Sequence, residues 1–164
     1  MKKTLSLILA TVFIAVGSTS ASAQASKDAG PLGSRLDAVK LVDGKAAGTA
    51  DKVQPGDTVL YTAVYTNRSD STLGNLKLTL PVPAGTEYQT NFVLNGSVLE
   101  ASLDGQIFSQ TPIYRTVTQA DGTTTKVVVS PRLYKAVRWN VPSLTAHSSV
   151  EIGLQVKVNS STTQ

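Results

Sequence analysis

The sequence predicts an all-β chain folded as a two-layer antiparallel sandwich, and three observations carry that prediction. Apolar and polar residues alternate with period two in several short runs, the pattern of half-buried strands. Asn-Gly and Asp-Gly corners, favoured where the backbone needs positive φ, separate those runs. Beyond the first residues, no window shows a helical period.

The chain opens on "MKKTLSLILATVFIAVGSTSASA", with a positive start at Lys2 and Lys3, an apolar run from Leu5 to Val16, and Ala21-Ser22-Ala23 behind it. This is the pattern of a secretory signal peptide over residues 1–23, cleaved after Ala23. The apolar run is shorter than the ~20 residues that span a bilayer. The expectation is an exported protein, periplasmic or extracellular and at the cell surface. No second hydrophobic segment and no cysteine are present, so the mature chain is expected to have no stable membrane anchor. The portion after Ala23 is 141 of the 164 residues, the size of one domain, held by core packing without disulfides. The net charge of +4 includes Lys2 and Lys3, leaving +2 beyond Ala23. So small a surplus, without a basic stripe, argues against a nucleic-acid partner.

Residues 24–34 are small and polar, with Gly30-Pro31 and Gly33, and read as a flexible leader to a domain over 35–160, with a polar tail at 161–164. In "LDAVKLVDGK", Val39 and Leu41 share a parity and Asp43-Gly44 turns the chain. Pro55-Gly56-Asp57 makes the next turn. A strand comes after it with Val59, Tyr61, Ala63 and Tyr65 inward, and Leu60, Thr62, Val64 and Thr66 on the other face. After a break at Asn67–Asp70, Leu76, Leu78 and Leu80 line a half-buried strand that Pro81 and Pro83 terminate. Further corners stand at Asn95-Gly96, Asp104-Gly105 and Asp121-Gly122, and the stretch 111–132 reads as an inserted hairpin. The chain closes on "YKAVRWNVPSL", with Val137, Trp139 and Val141 on one parity, and on "SSVEIGLQVKVN", with Val150, Ile152, Leu154, Val156 and Val158 inward. About seven to nine such strands with turn signals between them predict an immunoglobulin-like antiparallel β-sandwich.

The order "KVQPGDTVLYTAVYTNRSDSTLGNLKLTLPVPAGTEY", "ASLDGQIF" and "YKAVRWNVPSLTAHSSVEIGLQVKV" resembles a bacterial envelope family catalogued as domain of unknown function 11. Its pattern is Pro-Gly-Asp, then Tyr and Asn at fixed spacing, then Pro-x-Gly-Thr-x-Tyr, then Trp before a closing strand, and it covers about Leu36 to Asn159. Where the family has a Pro-Gly turn before the last strand, this chain has Ala146-His147-Ser148. The resemblance implies an immunoglobulin-like module of exported or surface proteins, often repeated in adhesins and layer proteins, and it implies no catalytic residues.

The residues themselves offer little chemistry. There is one histidine, His147, without a ligand or base at useful spacing, and there are no nucleophile, phosphate-loop or metalloprotease motifs. Asp43, Asp57, Asp104 and Asp121 fall in turns, where aspartate serves the backbone. The chain is therefore expected not to be an enzyme and to use no cofactor and no metal. The densest cationic and aromatic cluster is "KVVVSPRLYKAVRWN". There Arg132, Tyr134 and Arg138 share the parity opposite Trp139, and so form a candidate exposed ridge for sugar rings or acidic glycans. A Lys40–Asn159 isopeptide bond is argued against by parity, which turns both side chains outward. The expected function is a structural, adhesive or assembly role at the envelope, with envelope proteins or glycans as partners. The alternatives are a carbohydrate- or ligand-binding module, or a fibre subunit that donates its leader and Leu36–Val42 to a neighbour's sheet edge.

Overall fold

The computed structural model describes residues 30–92 and 94–160. The signal segment 1–23, its cleavage site, leader residues 24–29 and the tail 161–164 lie outside the described residues. Eleven strands are present among the described residues, all paired antiparallel, which is more than the seven to nine expected. They are β1 (Leu32–Val42), β2 (Lys45–Thr49), β3 (Thr58–Asn67), β4 (Leu73–Pro81), β5 (Thr86–Asn91), β6 (Val98–Ser102), β7 (Ser109–Gln110), β8 (Tyr114–Thr118), β9 (Thr124–Val128), β10 (Ala136–Leu144) and β11 (Ser149–Val158). One sheet has the order β2-β1-β3-β11-β5, the second β4-β10-β6-β7, and β8-β9 form a separate two-stranded ribbon. The fold is the antiparallel β-sandwich that the alternation predicts, and the ribbon is the hairpin expected in 111–132.

The core lies where the two sheets face each other. Val59 and Ala63 of β3, and Ile152, Leu154 and Val156 of β11, are buried against Leu78 and Leu80 of β4 and Val137, Trp139 and Val141 of β10. Tyr61 and Tyr65 pack at its margin, half-buried. Burying one such aliphatic side chain is worth about 1.5–3 kcal/mol. Trp139 is anchored at its polar end as well, its Nε1–H donating to the Phe92 carbonyl at 3.1 Å. The Phe92 ring lies so close to Gly153 that a Cβ there would sit 2.8 Å from it, so β11 needs glycine at that point.

Two expectations about the first strand are corrected. The leader is expected to run to Ser34, but β1 begins at Leu32, because Leu32, Gly33 and Ser34 pair with Asn67, Thr66 and Tyr65 of β3. Gly33 supports this early start by leaving room for the Arg68 side chain, which a Cβ would approach to 2.6 Å. Parity turns Lys40 outward, with Val39 and Leu41 opposite. Instead the β1–β3 register sets Lys40 across from the core residue Val59, and directly opposed residues share a face. Its Nζ is held by Asp57 at 2.7 Å, at the end of the sandwich. Within this chain β1 pairs with β3 along Leu32–Leu41 and with β2 at Val39–Val42.

Two of the places where the chain crosses between the sheets, after β3 and before β11, lie side by side, and Asn67 joins them. Asn67 is fully buried. Its Nδ2 donates to the carbonyls of Ser71 at 2.8 Å, and of Leu144 and Thr145 at 3.0 Å each. Its Oδ1 accepts from the backbone N–H of Ser69 at 3.0 Å and from the Ser69 hydroxyl at 2.7 Å. Its own N–H donates to the Ser148 carbonyl at 2.9 Å, and the next residue's N–H donates to Pro31. His147, in the second crossing, has φ of 54°, a left-handed conformation that glycine takes with least strain. This is where the resembling family carries its Pro-Gly turn.

Asn67→Ala takes the donor from the buried Leu144 carbonyl and from the part-buried Ser71 and Thr145 carbonyls, and the loss at a buried carbonyl costs about 1–3 kcal/mol. Urea unfolding of the variant is expected to show a loss of about 3 kcal/mol, whereas Ser71→Ala, which keeps every backbone acceptor, should unfold like the parent chain.

Candidate functional site

The structure separates the three residues proposed as one ridge. Arg132 lies on a short 3-10 turn, Pro131–Leu133, where it is exposed and 4.0 Å from Glu87 of β5. Tyr134 is buried, only 4% exposed, with its ring 5.5 Å from that of Tyr88 in the core. The expectation of an exposed Tyr134 is therefore corrected. Alternation places Tyr134 outward only if one strand runs from Arg132 to Arg138, but the 3-10 turn interrupts it and rotates Tyr134 inward before β10 begins at Ala136. Tyr88, the partner ring, has its hydroxyl bonded to Asn91 and its pKa pushed up to about 12, by burial first and then by Tyr134.

Arg138 does face outward from the second sheet. Its guanidinium carbon lies 3.5 Å from the centre of the Phe108 ring, its Nε–H donates to Thr79 Oγ1 at 3.2 Å, and its Nη1 is 3.7 Å from Glu100. Thr79, Arg138 and Glu100 are opposed residues on β4, β10 and β6, so they form one row across the sheet. The arginine is thus fixed on three sides by a ring, a hydroxyl and a carboxylate, a pre-ordered donor rather than a free cation.

Beside this row lies a shallow groove of about 350 Å³ lined by Asn75, Leu76, Lys77, Val98, Glu100 and Asn140, with Val141 and Pro142 completing it. It exists because β6 begins at Val98, opposite Asn140, so among the described residues β10 beyond that point is paired only with β4. A second, more polar cleft of about 460 Å³ gathers Glu87, Gln89, Arg132 and Lys157 at the β5–β11 edge. Single-sequence alternation does not point to the first groove, because its origin is the length of β6, which no local pattern encodes. The lone signal is the clustering of Lys77 and Asn140 on outward parities.

Three of the four turn aspartates accept hydrogen bonds from the backbone. Asp104 accepts from the N–H groups of Gln106 and Ile107 at 2.8 Å each and from Ser102 Oγ at 2.8 Å. Asp121 accepts from the Thr123 hydroxyl at 2.6 Å and its N–H at 2.9 Å, and Asp57 from the Gln54 N–H at 2.7 Å. Each is held below the ordinary carboxylate value: Asp57 chiefly by Lys40, Asp104 by Gln106, Asp121 by Thr123. His147 is exposed, with Nε2 2.9 Å from Asp70. Among the described residues, no three metal-ligating side chains come together.

Comparison with protein-family models, with curated proteins and with solved structures finds no match to this chain.

This geometry generates two measurements. Tyr134→Ala should cost about 4 kcal/mol as a truncated buried aromatic, while Arg132→Ala leaves the urea midpoint in place. A low cost for Tyr134→Ala would return that residue to the surface. The three turn carboxylates have lowered folded pKa values, so their stabilisation is complete above the ordinary value of 3.8 and is lost as pH falls through the lowered values. Thermal melting should therefore hold steady near neutrality and decline below about pH 4, with Asp104→Asn flattening that decline.

Proposed function

We propose that this chain is a non-catalytic, exported bacterial protein with a structural, adhesive or assembly role at the cell envelope. The supporting observation is the β8–β9 ribbon. It leaves the sandwich at Ile113 and rejoins it at Val129, whose N–H donates to the Ile113 carbonyl. Between those points nearly every residue is exposed, including Tyr114 and Val128, which oppose each other on one face. A two-stranded ribbon of this kind is marginal by itself and offers free strand edges and apolar side chains to another molecule. The signal-like start of the sequence and the resemblance to the envelope family support the same reading. So does the structural use of that family's motif residues: Asp57 ties Lys40, Asn67 joins the crossings, the Thr86 hydroxyl donates to the Pro83 carbonyl, and Trp139 fills the core.

The full chain, expressed in a Gram-negative host, should be recovered from the periplasm or medium with Gln24 as its first residue. Retention in the cytoplasm with Met1 intact would sink the reading. Replacing 114–128 by a short glycine turn should leave the melting temperature unchanged and abolish co-sedimentation with envelope fragments.

A further inference from the structure

We infer that the open stretch of β1 pairs with the same stretch of a second copy of this chain, antiparallel about Ser34, joining two sandwiches through one continuous sheet. This goes beyond the envelope role, because a dimer forms or fails to form whichever compartment holds the protein. Among the described residues, β2 covers β1 only from Val39 to Val42, so the edge of Leu32–Ala38 away from β3 has no strand beside it. Two hydrogen bonds show which backbone groups line that edge. The Pro31 carbonyl accepts from the N–H of Arg68, the residue after β3, and the N–H of Asn67, which opposes Leu32, is turned away from β1 to Ser148. Successive residues of an antiparallel strand direct their N–H and C=O to opposite edges. Leu32, Ser34 and Leu36 therefore present theirs to the open edge.

The other strands that border the sheets carry features that discourage pairing. Asn75 of β4 has φ of 53° and Pro81 closes that strand, Gly48 of β2 has φ of 128°, β7 is two residues long, and β5 is bordered by the 3-10 turn through Arg132 and Glu87. Between Leu32 and Ala38 there is no proline, no lysine and no positive φ, and the register with β3 is unbroken. The two charges there neutralise each other, Arg35 Nη2 lying 3.0 Å from Asp37. Leu36 adds an apolar reason for a partner. It opposes the buried Ala63 and so lies on the core-facing side of the sheet, yet it is 47% exposed, which means that the core stops short of it.

The residues of the edge select the second copy and its register. Opposed residues share a face, so a symmetric antiparallel pair centres on one residue. Centred on Leu36, the pair would place Gly33 against the second copy's Val39, where Thr49 of that copy's own β2 already stands. Centred on Arg35, it would oppose two guanidinium groups, and like charges directly opposite are destabilising. Centred on Ser34, it opposes Leu32 to Leu36 and Leu36 to Leu32, and it sets Arg35 across from Gly33. Leu32, Ser34 and Leu36 of both copies then exchange backbone hydrogen bonds, and the core continues through the join.

The test is sedimentation equilibrium of the chain from Gln24, together with cross-linking through single introduced cysteines, since the sequence has none. Pairing along Leu32–Leu36 is a small interface of the transient kind, so the average mass should rise towards two chains between about 10 μM and about 1 mM. Hydrogen-bonded pairs stand about 5.5 Å apart at Cα, within the ~4.4–6.8 Å that a disulfide spans. Under mild oxidation Ser34→Cys should therefore give a covalent dimer at least about tenfold faster than Thr124→Cys, at an exposed ribbon position. Ser34→Pro removes one N–H from the open edge without touching the β3 ladder, and Leu36→Lys puts a charge at the join. Each should leave a monomer across that range with the Trp139 fluorescence of the parent chain. A monomer at every concentration, a dimer that survives both substitutions, or Ser34→Cys linking no faster than Thr124→Cys would overturn the inference. So would a dimer that forms only when the chain starts at Gly30, which would assign the edge to residues 24–29.

Discussion

Everything in this sandwich depends on closing two sheets with a chain that changes sheet repeatedly, and the buried amide of Asn67 is where that closure is fastened. Each crossing leaves carbonyls without ladder partners, and a buried unpaired carbonyl is costly. One side chain with two N–H groups and one oxygen answers the crossing after β3 and the one before β11 together. Because its main-chain N–H also reaches Ser148, and Arg68 reaches Pro31, the same corner locates the start of β1. Ser102 plays a parallel part at the opposite end: it is buried, its hydroxyl accepts from the Gly105 N–H at 2.9 Å, and its carbonyl accepts from Lys135. These two buried polar residues are spent on turns, and the space between them is left to aliphatic and aromatic packing.

Much of this is legible in the sequence because side chains alternate across a strand whatever the strand's neighbours are. Counting alone places Ile152, Leu154 and Val156 inward, and Val137, Trp139 and Val141 with them. Counting fails where the chain stops being a strand. Extending parity through Pro131–Leu133 misplaces Tyr134, because a helical turn there shifts the phase. It fails again at Lys40, whose facing comes from pairing with Val59, a long-range fact that a local pattern does not contain. Asn67 stands at a break and reads as a turn residue. Its burial is visible only once the β10–β11 crossing is brought beside it. The outer groove has the same character, since it arises where one strand stops short of its neighbour.

The two faces of the molecule obey these rules. The inner residues are committed to packing, so any recognition falls to outward positions, to sheet edges and to segments outside the sandwich. On the second sheet the outward residues are organised by their neighbours: Arg138 is gripped by Phe108, Thr79 and Glu100.

The ribbon is joined to the body of the protein by one closed pair of chain ends at Ile113 and Val129. Only those two ends are fixed by the core, so strands β8 and β9 can lengthen, shorten or change composition in register without disturbing a single buried residue. In evolutionary terms the domain keeps a fixed frame and a freely editable appendage, and variation in what this protein contacts can accumulate there without weakening its fold.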